Sequence, residues 1–128
     1  MKKLLIALIF ALASTSAFAE WIKVGEDGES SVYTDPSTIR KKGDLVKIWS
    51  LYDLKLAQNI SGKMYLSMEK QFELDCVKRQ IMATYILYYT EKMGGGEKGP
   101  FNYLPKQWQP VASSSAAELI WKTACSKQ

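Results

Sequence analysis

The chain has no histidine. That absence removes Ser-His-Asp and Cys-His catalysis together with the commonest zinc ligand, so hydrolase and zinc-enzyme classes lose their usual machinery. Cysteine is scarce: Cys76 and Cys125 stand far apart with no second thiol near either, which excludes a CxxC redox pair. Lysine and arginine never condense into a dense run, so nucleic acid, which needs many phosphate contacts, is not an expected partner. The one long apolar stretch, residues 4–12, falls short of the roughly 20 apolar residues a membrane helix needs, and Ser14, Thr15 and Ser16 soon follow it.

What is present at the start is an export signature. Lys2 and Lys3 precede the apolar stretch, and small residues lead to Ala17-Phe18-Ala19, the pattern of a secretory signal peptide cleaved after Ala19. No cysteine follows that could carry a lipid anchor, so a soluble mature protein is expected, in the periplasm, at the cell surface or secreted, with no transmembrane segment. Removing nineteen of 128 residues leaves 109, enough for one domain over residues 20–128 and too few for two. Of 17 basic and 13 acidic side chains, Lys2 and Lys3 leave with the signal, so the mature charge is +2. Two cysteines in an exported chain most simply form one bridge, Cys76 to Cys125.

The most patterned stretch is residues 64–89. Met64, Leu66, Met68, Phe72, Leu74 and Cys76 alternate with Ser67, Glu69, Gln71, Glu73 and Asp75, the period of two of a half-buried strand. Lys70 interrupts the apolar face. In the following run Ile81, Ala83, Tyr85, Leu87 and Tyr89 form the more apolar face. Antiparallel pairing that sets Phe72 opposite Ile81, Met68 opposite Tyr85 and Leu66 opposite Leu87 buries both apolar sets together. The hairpin is expected to turn near residues 75–78.

Around it, Trp21 to Val24 and Val32-Tyr33 read as a small hairpin across Gly25-Glu26-Asp27-Gly28, and Asp35-Pro36-Ser37 as a turn. Residues 45–54 read as a central strand apolar on both faces, covered by a helix and a loop or by a second subunit. Residues 58–62 read as a polar connection. Residues 93–100 are glycine-rich, and Pro105 and Pro110 make residues 103–111 an extended surface loop. Ser115 and Glu118 fit a capping box, opening a helix whose stripe of Ala117, Ile120, Trp121, Ala124 and Cys125 lies on the sheet.

Three chemical readings carry little weight. Glu69, Glu73 and Asp75 share a strand face, where paired carboxylates do acid/base work in glycosidases, but a solvated outer face gives the same pattern. Gly94-Gly95-Gly96-Glu97-Lys98-Gly99 matches GxGxxG, yet Pro100 and Phe101 follow where a helix must begin. The Asn59-Ile60-Ser61 sequon is assigned no role. No cofactor, no metal and no enzymatic activity are expected.

Tyr85, Tyr88, Tyr89, Phe101, Tyr103 and Trp108 make the surroundings of the glycine loop aromatic, as interfaces often are. Candidate binding residues there are Lys63, Arg79, Lys98, Phe101 and Tyr103.

Residues 32–39 (Val-Tyr-Thr-Asp-Pro-Ser-Thr-Ile), Leu74-Asp75-Cys76, Met93-Gly94-Gly95-Gly96 and residues 117–125 together resemble the surface-adhesin protein E-like domain family of Gram-negative bacteria. The resemblance implies an α+β fold, an antiparallel sheet of about six strands with a C-terminal helix packed on it, the Cys76–Cys125 disulfide, and a homodimer. It also implies a surface protein that binds host matrix and serum proteins such as vitronectin, laminin and plasminogen. The alternative is a soluble periplasmic protein of envelope assembly or inhibition.

Overall fold

A computed structural model describes residues 20–126; the expected signal peptide lies outside the described residues. Seven strands and a helix follow in chain order: β1 (Ile22–Glu26), β2 (Ser30–Lys42), β3 (Leu45–Ile60), β4 (Lys63–Asp75), β5 (Gln80–Tyr89), β6 (Lys98–Tyr103), β7 (Gln109–Pro110) and α1 (Ala116–Ser126). Strands β1 to β6 pair antiparallel in sequence order, and β7 pairs with the start of β5. This meander needs only short connections, so each strand finds its partner next in the chain.

One face of the sheet carries the core. Val32, Val46, Ile48, Tyr52, Phe72, Leu74 and Ile81 meet Ile120 and Ala124 of α1, with Ala117, Trp121 and Cys125 packed against them. The helical stripe therefore faces the sheet as its spacing requires. Gly25 makes the approach possible: a Cβ there would collide with Leu119 Cδ1. The Cys76–Cys125 disulfide joins the end of the β4 strand to the end of the helix, with Cα atoms 5.6 Å apart.

The helix entry differs in one detail from a reciprocal capping box. Ser115 Oγ accepts the Glu118 amide at 3.2 Å, but Glu118 Oε1 accepts the amide of Ser114, one residue earlier. Its other oxygen holds Arg79. The glutamate thus ties the helix start to the β4–β5 turn.

The β4–β5 hairpin forms, but in another register. Phe72 pairs with Ala83 rather than Ile81, Leu74 takes Ile81, and Met68 faces Tyr88 rather than Tyr85. The cause is a bulge at Thr84, where Gln71 pairs with Tyr85 and its neighbour Phe72 pairs with Ala83. One extra residue turns the strand over. Ile81 and Ala83 face the helix, while Tyr85, Leu87 and Tyr89 face away, so the odd positions of β5 do not share a face. Thr84 Oγ1 donates to Gln71, and Leu104 N donates to the Thr84 carbonyl, satisfying the displaced groups.

Two other expectations change. Residues 58–62 are not a connection: β3 runs on to Ile60, and only Ser61 and Gly62 turn, with φ of 54° and 87°, the left-handed pair of a two-residue hairpin loop. Asp35-Pro36-Ser37 lies within β2, where the ladder slips between Asp35 and Arg40. Asp35 accepts from the amide and hydroxyl of Ser37, and the Trp49 amide donates to Thr38 Oγ1 at 3.0 Å. The β4–β5 turn forms where expected, held by Asp75 Oδ1, which accepts from the amides of Val77 and Lys78.

Candidate functional site: the sheet face opposite the helix

The second face of β3 is covered within the chain. Residues 91–97 fold over it: Ser67 Oγ donates to the Glu91 carbonyl at 2.6 Å and accepts the Gly94 amide at 2.8 Å, while Met93 N donates to Asp53 at 2.8 Å. Leu51 and Ser67 are fully buried as a result. The glycine-rich stretch is therefore a lid packed on the sheet. Helix on one side and loop on the other account for the two apolar faces of β3.

Beneath that loop Tyr89 donates its hydroxyl to the half-buried Glu69. Burial pushes the Glu69 carboxyl above its usual value, against the opposing pull of the Tyr89 hydrogen bond and Lys98; the Tyr89 hydroxyl is pushed up to about 12, mainly by burial. A carboxyl that binds its proton more tightly when folded stabilises the fold as pH falls, so the cost of the charge is felt above the folded pKa. Glu69→Gln, which retains an acceptor for Tyr89, is expected to raise Tm at pH 7. The difference from wild type should shrink at pH 4; thermal melts at both pH values check it.

Beside the lid lies an exposed aromatic cluster. Cross-strand pairing lines up Trp49, Gln71, Tyr85 and Tyr103 in one row, with Phe101 in the next. The Trp49 and Tyr85 rings stack at 5.7 Å and 6°, Tyr85 lies 4.7 Å from Tyr103 and 5.1 Å from Phe101, and Phe101 meets Tyr103 edge-on at 5.6 Å. Such rings gain about 0.5–1.5 kcal/mol per pair beyond burial, which holds them in place. Tyr103 also donates to the Tyr85 hydroxyl, which raises its own pKa. Phe101 remains 50% exposed and Tyr103 74%, far more than packing alone calls for.

The expected binding residues fall in three places. Phe101 and Tyr103 sit together in the cluster. Lys63, in an ion pair with Glu97 at 2.9 Å, and Lys98, at the start of β6, lie at the lid end of the sheet. Arg79 is at the opposite end of β4, in a left-handed turn, bound to Glu118 and 4.8 Å above the Trp121 ring. Of the other aromatics, Tyr88 packs on Tyr65, Tyr89 lies under the lid, and Trp108 sits on the loop before β7. The strand reading of residues 45–54 gave no signal that Trp49 joins this cluster, because the contact crosses β4.

The three carboxylates read as one strand face serve separate ends: Glu69 under the lid, Glu73 in an open groove, Asp75 in the turn. Among the described residues no group of three His, Cys, Asp or Glu side chains is placed to hold a metal ion, and no helix is long and apolar enough to cross a membrane.

No curated protein sequence matches the chain. The fold matches the structure of crystal form II of Haemophilus influenzae protein E with a TM-score of 0.71 at 13% identity, covering 89% of this chain and 93% of that one. Protein E from non-typeable Haemophilus influenzae matches with a TM-score of 0.63 at 15% identity, over 84% and 79%. At such identities the likeness concerns the fold. Residues 21–126 match the family described as Surface-adhesin protein E, a span that takes in every strand and the helix, and the chain therefore belongs to that family.

Proposed function

We propose that the chain is an exported, non-enzymatic adhesin that binds host matrix or serum proteins of the vitronectin, laminin and plasminogen kind. The contact surface in this reading is the aromatic cluster on the open sheet face. The observation that carries it is the exposure of Phe101 and Tyr103 on rings already fixed by Tyr85 and Trp49: aromatic side chains held rigid and half in water are the usual anchors of protein interfaces. Lys98, on the same edge strand, adds local attraction that weakens with salt. Lys63 and Arg79, each partnered by a glutamate, belong to the proposal as secondary contacts.

The test has two arms. An impermeant label applied to intact cells should reach the protein; if labelling requires opening of the outer membrane, the adhesin reading fails and the periplasmic one replaces it. On immobilised vitronectin and laminin, Phe101→Ser with Tyr103→Ser should weaken binding by about tenfold or more, with the fold intact by circular dichroism. Unchanged binding would move the contact elsewhere, with Lys63, Arg79 and Lys98 replaced together as the next variant. A homodimer belongs to the same proposal, on the family resemblance, and sedimentation showing only monomer at high concentration would remove it.

A further inference from the structure

Next to the aromatic cluster the open face carries a trough. A groove of about 260 Å³ is walled by Tyr85 and Tyr103, floored by Gln71, Glu73 and Thr84, and flanked by Lys47 and Lys106. It shares Lys47 and Glu73 with a larger groove of about 620 Å³ lined by Arg40, Lys41 and Lys42. The two run together across β2 to β6, about 19 Å at the usual strand spacing. A site of this shape suits an extended polymer better than a compact small molecule.

Its positive charge is only partly compensated. Among the described residues five ion pairs form, and all lie elsewhere: Lys23 and Lys55 with Glu26, Lys63 with Glu97, Arg79 with Glu118, and Lys92 with Asp53. None of Arg40, Lys41, Lys42, Lys47 and Lys106 takes part, and Glu73 is the one carboxylate lining the trough. Glu73 faces Lys47 across the β3–β4 ladder, and the excess of cations over this single carboxylate creates a field that concentrates anions over the groove.

We propose that this trough binds a sulfated polysaccharide. Four of the five cations are lysines, point charges suited to dispersed sulfate esters rather than to the planar, bidentate pairing that arginine favours. The Gln71 side-chain oxygen accepts from the Thr84 hydroxyl at 3.0 Å, which fixes the amide and leaves its N–H groups to donate to a sugar hydroxyl, and Tyr103 offers an exposed ring against which the C–H face of a pyranose packs. Single-stranded nucleic acid fits less well: it needs free ring faces for its bases, and Trp49 and Tyr85 are stacked on each other. The proposal rests on the same open face as the adhesin reading and names the non-protein part of what that face recognises.

Calorimetry of the mature protein with size-defined heparin oligosaccharides tests it without any host protein. Binding is expected at low salt, weakening as salt rises, and Lys47→Gln with Lys106→Gln should reduce affinity by about tenfold or more. Lys23→Gln with Lys122→Gln, of equal charge change outside the trough, should alter it less than about twofold. Gln71→Ala should weaken binding with its salt dependence unchanged. The proposal is overturned by no binding at low salt, by equal losses in the two double variants, by equal affinity for non-sulfated hyaluronan, or by equal affinity for a single-stranded oligonucleotide of the same charge. If vitronectin binds and heparin does not, only this inference falls; if heparin binds and no host protein does, the adhesin reading falls alone.

Discussion

Replacing Cys76 and Cys125 together by alanine is expected to lower stability by about 4 kcal/mol, the chain-entropy value for a loop of this length. The bridge spans 49 residues and joins the helix end to the β4–β5 turn. For a domain of this size each kcal/mol shifts Tm by roughly 4–8 °C, so a fall of more than about 15 °C is predicted in thermal melts. The loss should begin at the helix. Outside the core contacts of Ile120 and Ala124, α1 is tied to the sheet by the disulfide, by Glu118 with Arg79, and by Trp121 Nε1 on the Asp75 carbonyl. All three ties meet at the β4–β5 turn. Equal stability of the double variant and the oxidised wild type would show that packing alone holds the helix.

Leu51→Ala is the second large effect, expected to cost about 2–5 kcal/mol as a buried leucine truncation. Leu51 is fully buried, yet it points away from the main core, toward the loop that crosses the open face. A Cβ on Gly94 would come within 3.7 Å of Leu51 Cδ1, so the loop rests on this side chain. Truncation should therefore free the loop as well as weaken the sheet. Hydrogen exchange at Met93 and Gly94, whose amides are bound by Asp53 and Ser67, should accelerate beyond the global change. A variant as stable as wild type would mean that the loop collapses onto the cavity.

Much of this fold was legible in the residues. The alternation through Phe72 and Leu74 set the core face of β4, the spacing of Ala117, Ile120, Trp121 and Ala124 set the buried face of α1, and export favoured one bridge. What could not be read was register. Residues 80–89 alternate evenly in sequence, but the bulge at Thr84 changes their facing midway, and Thr84 itself carries no mark of it; its hydroxyl bonds to Gln71 become visible only once the strands are paired. The end of β3 was misread for a different reason. Gln58 and Asn59 are polar because the extended β3–β4 ribbon is exposed, and exposure alone resembles a loop.

The candidate site was half legible. Phe101 and Tyr103, two apart beside a glycine-rich stretch, could be picked out locally, whereas Trp49 and the groove lysines come from strands whose neighbours are fixed only by tertiary pairing. Arg79 was grouped with Lys63 because both flank the same hairpin, but they stand at its two ends, thirteen ladder residues of β4 apart.

The single residue at Thr84 acts as a frame shift written in space rather than in codons. Upstream of it the odd positions of β5 address the interior; downstream they address the outside, and the chain reads out two surfaces from one alternating text. Pairing the same residues without the bulge would leave composition and hydropathy untouched, yet it would turn Tyr85 and Leu87 inward and Ile86 and Tyr88 outward. The exposed aromatic face would vanish without the loss of a single ring, so within this fold a surface can be gained or erased by where one residue is left unpaired.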